Sequence, residues 1–327
     1  MVEIGESYKV ENSIKRKIVI IGAGHVGTHC GLTLILRNQV DELVYIDVKE
    51  EKACMEALDQ DDAVSSLPRR VQVRAGTYAD CADAQIVVMA AGRSRRPGET
   101  RLDMFDSSIE IMKSIVGPLK ASGFHGILLS ISNPADIVAD FLRKRLEMPK
   151  SHVFSTGTSL DSARLRRILS EILGVDRHSI QAYSMGEHGD SQMIPASHIY
   201  VGGVPIMDYA AGNLELLKKL DFDAVCQAVR DAGQHVVVGK GCTEFGIGMV
   251  CSDIVQAIQN DEKRILPVST LLEGEYGQSG IHAGVPAVIG KNGMERIVEI
   301  NLTSEEKKKF DHSCSVIRGF IERADQM

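Results

Sequence analysis

Two groups of residues in this sequence are spaced as chemistry requires. The first is Gly22-Ala23-Gly24-His25-Val26-Gly27, which follows the apolar run Ile18-Val19-Ile20-Ile21 and precedes a helical pattern. Strand, glycine turn and helix in that order let a backbone cradle a pyrophosphate. Gly22 permits the tight turn, Gly24 lets the backbone approach the phosphates, and Gly27 lets the helix pack on the strand. The helix start adds N–H groups and the positive end of its dipole. Asp47, twenty residues beyond Gly27 at the end of the next apolar run, is placed to accept hydrogen bonds from both adenosine ribose hydroxyls. A carboxylate there repels a 2′-phosphate, so the implied cofactor is NAD and not NADP.

The second group centres on His188, a lone histidine in Gly186-Glu187-His188-Gly189-Asp190. Histidine is the side chain whose charge changes near neutral pH, which suits an acid/base, although glycine neighbours also fit a plain surface turn. His25 and His29 stand four apart, as a metal pair would, but no third ligand of suitable type accompanies them in the sequence. They are read as non-ligands, and no metal is expected.

These residues need a scaffold, and the apolar runs supply one. Ile18–Ile21, Leu43–Ile46, Ile86–Met89 and Ile127–Ile131 are short and do not alternate, as suits strands buried on both faces. Helical patterns such as His29–Arg37 and Phe105–Ser122 lie between them. The alternation predicts an α/β fold, a doubly wound parallel sheet of the Rossmann type over residues 18–155. From 156 to 327 longer amphipathic helices mix with short strands, for example His198–Val201 and Ile297–Ile300, which predicts an α+β substrate domain. Thr303-Ser304-Glu305-Glu306 has the pattern of a capping box opening a helix to about Ala324. Residues 1–17 read as an arm or a tail.

The 327 residues are 44% hydrophobic and 25% charged, with a net charge of −7, so a folded chain is expected and a nucleic-acid partner is not. Seven cysteines without a C-x-x-C pair suit free thiols in a reducing cytoplasm. Met1 to Lys17 lacks the apolar run of a signal peptide, and no later run reaches eighteen apolar residues, so no membrane association is expected.

Further segments accompany these two groups: Pro97-Gly98-Glu99-Thr100-Arg101-Leu102-Asp103, Ser132-Asn133-Pro134, Gly157-Thr158-Ser159-Leu160-Asp161-Ser162-Ala163-Arg164, Lys240-Gly241-Cys242-Thr243 and Leu266-Pro267-Val268-Ser269. With the glycine motif and the His188 segment, and in this order, they closely resemble the L-lactate dehydrogenase branch of the lactate/malate dehydrogenase family. The resemblance covers nearly everything after Lys17. It implies hydride exchange between NAD and a small 2-hydroxy or 2-oxo acid, with His188 as acid/base and Asp161 orienting it and favouring its charged form. It further implies that Arg164 grips the substrate carboxylate with its planar fork. Arg101 would polarise the reacting carbonyl from a loop that closes over the substrate. By the same resemblance Asn133 contacts substrate and cofactor, Thr243 walls the substrate pocket, and Val26, Lys52, Tyr78 and Gly92 fall at cofactor contacts. A homo-oligomer, a tetramer, is expected. A non-catalytic NAD-binding sensor would have no need to keep His188, Asp161, Arg164 and Arg101 together.

Two positions depart from the lactate pattern. Six residues before Arg101, where the lactate branch carries glutamine and the malate branch arginine, stands Arg95. A second carboxylate, as on oxaloacetate, would pair with it, whereas the methyl of pyruvate would leave it unpaired. Arg93 and Arg96 also make the loop basic, so Arg95 could instead turn to solvent. Glu187, Thr158-Ser159, Glu99-Thr100 and Thr243 resemble the lactate branch, which leaves malate as the alternative. Relatives activated by fructose 1,6-bisphosphate use an arginine and a histidine; Arg166 matches the first and Gln181 replaces the second, so weak or absent activation is expected.

Overall fold

The computed structural model describes residues 16–93 and 104–327. Arg95 and Arg101 lie outside the described residues, as does the expected arm up to residue 15. The first half alternates strand and helix: β1 (Lys17–Ile21), α1 (His25–Leu36), β2 (Glu42–Ile46), α2 (Glu50–Val64), β3 (Gln72–Ala75) and β4 (Ile86–Met89). It continues with α3 (Phe105–Ala121), β5 (Ile127–Ser130), α4 (Ala135–Leu146) and β6 (Val153–Ser155). The second half comprises α5 (Ser159–Leu173), β7 (Ile180–Gln181), β8 (Tyr200–Val201), β9 (Val204–Pro205), α6 (Ile206–Ala210), α7 (Leu214–Lys219) and α8 (Phe222–Lys240). It ends with α9 (Phe245–Gln259), β10 (Arg264–Glu273), β11 (Ser279–Gly290), β12 (Gly293–Ile297) and α10 (Ser304–Asp325).

The first six strands pair in parallel in the order β3-β2-β1-β4-β5-β6. Both faces are covered, which is why the strands read as continuous apolar runs. Val19 and Ile21 of β1 pack with α3, α4 and α10, while Ile18 and Ile20 pack with α1, α2 and α9. The sheet does not stop at the expected boundary. Antiparallel β10 joins β6 through Ser269 opposite Ser155, and β11 and β12 follow. A third core, with Leu165, Leu169, Ile180, Val225 and Val229, holds α5 and α8 against the small sheet β7-β8-β9.

Local expectations shift at a few points. The strand expected at Ile297–Ile300 ends at Ile297. The Tyr276 hydroxyl donates to the Val298 carbonyl at 3.2 Å and accepts the Ile300 N–H at 3.0 Å, so these backbone groups are satisfied outside any ladder. His198 closes a short 3₁₀ turn, leaving Tyr200–Val201 as the strand. β3 escaped the sequence reading because Gln-Val-Arg-Ala carries too little apolar signal. The capping box forms as expected, with Thr303 N–H donating to Glu306 at 2.9 Å and Glu306 N–H donating to the Thr303 hydroxyl at 3.3 Å.

Candidate active site

A cleft opens where the strand order reverses around β1 and β4, beyond the C-terminal ends of β1, β4, β5 and β6, the place where open α/β sheets bind ligands. Gly24 and Val26 enter from the turn after β1, Gly92 from the segment after β4, and Asn133 from the turn after β5. Arg164, His188 and Thr243 enter from the second half. Seven residues singled out in sequence thus meet in one cavity, although they span more than two hundred positions.

The glycine turn is built as its spacing requires. Gly22 adopts φ +108°, and a Cβ there would lie 2.6 Å from the Ala90 carbonyl carbon. A Cβ on Gly27 would lie 2.0 Å from the Gly22 carbonyl oxygen, so α1 can approach β1 this closely only without a side chain. Gly24, by contrast, faces open space and caps α1 with no side-chain hydrogen bond, leaving the first-turn N–H groups without a side-chain acceptor among the described residues. Asp47 sits after β2 and accepts N–H groups from Ala23 at 2.8 Å and Lys49 at 2.9 Å, which fixes its carboxylate beside the turn. Bare backbone, an uncapped helix start and an anchored carboxylate fit a dinucleotide. Lys52 lies in the first turn of α2, and Tyr78 opens a 3₁₀ turn (Tyr78–Cys81), packed against the core. Neither is among the residues that line the cleft. Burial pushes the Tyr78 phenol above its ordinary value.

At the cleft floor, α5 begins just after β6, and its first turn carries Asp161, which is fully buried. Negative charge is favourable at a helix start. Asp161 accepts from two sides: His188 Nδ1 lies 2.5 Å from its Oδ2, and Arg164 Nη1, one turn on, 3.1 Å from its Oδ1. The His188 and Arg164 side chains keep only 12% and 10% of their surface exposed. With Nδ1 turned to a carboxylate, that nitrogen carries the proton, and Nε2 is the one left to exchange protons with a ligand. The His188 main chain is fixed as well, its N–H donating to Asp136 Oδ2 at 2.9 Å. Among the described residues no group hydrogen-bonds the buried Asn133 Oδ1, as suits an acceptor whose donor arrives with a ligand.

Asp136 is a site residue that sequence reasoning missed. An acidic residue in the first turn of α4 looks like ordinary helix-dipole matching, and nothing local reveals that the fold carries His188 onto it. Burial pushes its carboxyl up to about 7, against the opposing influence of the Ser269 hydroxyl and the His188 N–H. Likewise the fold places Cys242 and Glu244 beside His25 and His29, a grouping that the sequence spacing does not reveal.

Residues 16–155 match the family described as lactate/malate dehydrogenase, NAD binding domain, and residues 158–327 match lactate/malate dehydrogenase, alpha/beta C-terminal domain. The chain is 43% identical over 307 residues to an L-lactate dehydrogenase of Fusobacterium nucleatum subsp. nucleatum, covering 94% of this chain and 96% of that protein. The minor L-lactate dehydrogenase from Enterococcus mundtii, in its ligands-bound form, superposes with a TM-score of 0.90 at 40% identity, over 95% of this chain and 99% of that one. Cryptosporidium parvum malate dehydrogenase superposes with a TM-score of 0.88 at 26% identity, over 96% and 100% of the two chains. Two family matches that between them run from the start of β1 to α10, and take in nearly every residue lining the cleft, leave one assignment: the chain belongs to the lactate/malate dehydrogenase family.

Proposed function

We propose that this chain is an NAD-dependent L-2-hydroxy acid dehydrogenase of the L-lactate type, interconverting pyruvate and L-lactate. The observation that carries the reading is the buried carboxylate of Asp161, shared between His188 and Arg164 at the floor of a cleft that begins at the glycine turn. Bound NADH supplies the hydride; the chain must hold the acid and manage one proton. Arg164 binds the substrate carboxylate. His188 gives its Nε2 proton to the oxygen of the 2-oxo group as it becomes an alkoxide, and takes it back in the reverse direction. Asp161 keeps the ring oriented and stabilises the imidazolium from which that proton leaves. Because the His188 and Arg164 side chains are nearly buried, little water competes for the substrate.

Further roles follow from the same reading. Arg101 polarises the carbonyl, Asn133 offers its side-chain oxygen to the ligands, and Thr243 walls the substrate side. Gly22, Gly24, Val26, Gly27, Asp47, Lys52, Tyr78 and Gly92 serve the cofactor. The pyruvate assignment is supported by relatives at 40–43% identity that are L-lactate dehydrogenases. Arg95 favours a second reading, oxaloacetate, since a guanidinium in the pocket would pair with the extra carboxylate. Steady-state NADH oxidation with pyruvate and oxaloacetate in parallel, repeated on Arg95→Gln, separates them. Preference for pyruvate that ignores the substitution supports the lactate reading; preference for oxaloacetate that collapses in the variant overturns it.

A cytoplasmic homotetramer is part of the proposal. Seven free cysteines suit a reducing compartment, and no described helix is long and apolar enough to cross a membrane. Phe245 and Met249 of α9 and Val238 of α8 expose large apolar side chains, as suits a face that another copy covers. Light scattering that returns a monomeric mass refutes the assembly. Arg166 reaches the Ala182 carbonyl at 3.4 Å, next to exposed Gln181. An uncharged amide there supports weak or absent activation by fructose 1,6-bisphosphate, and a large drop in half-saturation on adding it would contradict this.

A further inference from the structure

We propose that His25, Cys242 and Glu244 form a binding site for a thiophilic divalent cation of the zinc class at the mouth of the cofactor cleft, and that occupation of this site excludes the dinucleotide. Among the described residues, one ligand atom from each of the three lies within 4.8 Å of the others. The focus is Glu244 Oε2: Cys242 Sγ lies 3.4 Å from it and His25 Nδ1 3.9 Å. A tetrahedral zinc with bonds of about 2.3 Å to sulfur and about 2.0 Å to nitrogen and oxygen sets its ligand atoms about 3.5 Å (S to O) and about 3.3 Å (N to O) apart. The sulfur and oxygen already stand at that spacing. His25 must close by about 0.6 Å on the oxygen and by up to about 1.3 Å on the sulfur, and its ring, 77% exposed, is free to turn.

Neighbouring groups hold the acceptor in place. Lys240 pairs with the other oxygen of Glu244, Oε1, so Oε2 is the oxygen presented to the site. His29 Nδ1 donates to the His25 carbonyl at 2.7 Å and lies 3.3 Å from Glu244 Oε2, which makes it a support for the carboxylate and not a ligand through that nitrogen. Imidazole, thiolate and carboxylate together suit zinc better than magnesium or calcium, which take oxygen ligands. Binding releases the thiol proton to solvent as the metal–sulfur bond forms, and water completes the tetrahedron.

The location gives the site its consequence. His25 belongs to the glycine turn at the start of α1, whereas Cys242 lies between α8 and α9, flanked by Gly241 and Thr243, which also line the cleft. A metal held by both segments ties the two sides of the opening together where the dinucleotide must enter. This part rests on the reading that the cleft takes NAD.

The test is a cobalt(II) titration of the reduced protein, following the thiolate-to-metal charge-transfer absorbance, with wild type, Cys242→Ser, His25→Ala and Glu244→Gln. One equivalent should develop the band in wild type. Cys242→Ser should lose it, and the other two should need about tenfold or more cobalt, since even outer-shell changes weaken metal sites by 10–100-fold. Circular dichroism checks folding, and the exposed His25 gives a variant that spares the core. No band in wild type, or a band that survives in Cys242→Ser, overturns the site. NADH binding, read by fluorescence, should weaken as zinc is added to wild type but not to His25→Ala; an NADH affinity indifferent to zinc overturns the exclusion. Failure of NADH to bind without metal would instead count against the dinucleotide reading, which the cobalt spectrum does not depend on.

Discussion

Asp136→Asn should remove a pH-dependent cost to the fold. The Asp136 carboxyl is fully buried, and its Oδ2 accepts the His188 N–H. Burial is the largest influence and raises its pKa from 3.8 to about 7; the nearby Glu187 charge pushes the same way, while the hydrogen bonds oppose it. Between those values the unfolded chain has released the proton and the folded protein still holds it. The folded state therefore binds more protons, and stability falls as pH rises through the window. Each pH unit is worth about 1.4 kcal/mol, so ionisation across the window costs about 4 kcal/mol, complete above pH 7. Asparagine keeps an acceptor for the His188 N–H and has no proton to lose. Urea unfolding of apoprotein at fixed concentration, at pH 5 and pH 8, should show wild type losing stability over that interval by a few kcal/mol more than Asp136→Asn. Equal losses in the two proteins would refute the assignment of a protonated buried Asp136.

Other perturbations separate the roles of neighbouring groups. Asp161→Asn should lower kcat by about two to four powers of ten while NADH affinity, read by fluorescence, stays near wild type, because the carboxylate acts on His188 and not on the cofactor. Arg164→Lys should raise KM for pyruvate about a hundredfold, the loss of one charge-assisted hydrogen bond of roughly 3 kcal/mol, since an ammonium cannot copy the planar fork; an unchanged KM would place the carboxylate elsewhere. Gly27→Ala puts a Cβ 2.0 Å from the Gly22 carbonyl oxygen. It should lower unfolding stability by about 1–3 kcal/mol and weaken NADH binding, with denaturant melts and NADH fluorescence as the checks.

The parallel half of the fold was legible because each buried strand announces itself as an apolar run, and the glycine turn because its steric demands leave few other residues possible. β3 was not, since a rim strand with an exposed glutamine and a half-buried arginine has no run to read. The extension of the same sheet by β10, β11 and β12 also escaped, because the contact between Ser269 and Ser155 is set by tertiary packing and leaves no local trace. Within the site, His188, Asp161 and Arg164 stood out only through the resemblance of several ordered segments to one family, since His188 taken alone also fits a surface turn. Asp136 and the group of His25, Cys242 and Glu244 did not, because their meaning arises only when distant segments meet. The Ile297–Ile300 run shows the converse failure: alternation signalled a strand, but the hydroxyl of Tyr276 claimed the backbone groups beyond Ile297.

The most direct test of the central claim, that His188 held by Asp161 is the proton donor for reduction of a 2-oxo acid, is single-turnover oxidation of enzyme-bound NADH by saturating pyruvate in wild type and His188→Gln. The account predicts a rate lower by about 10²- to 10⁴-fold in the variant with NADH affinity retained. An unchanged rate in a folded, NADH-binding variant would contradict it.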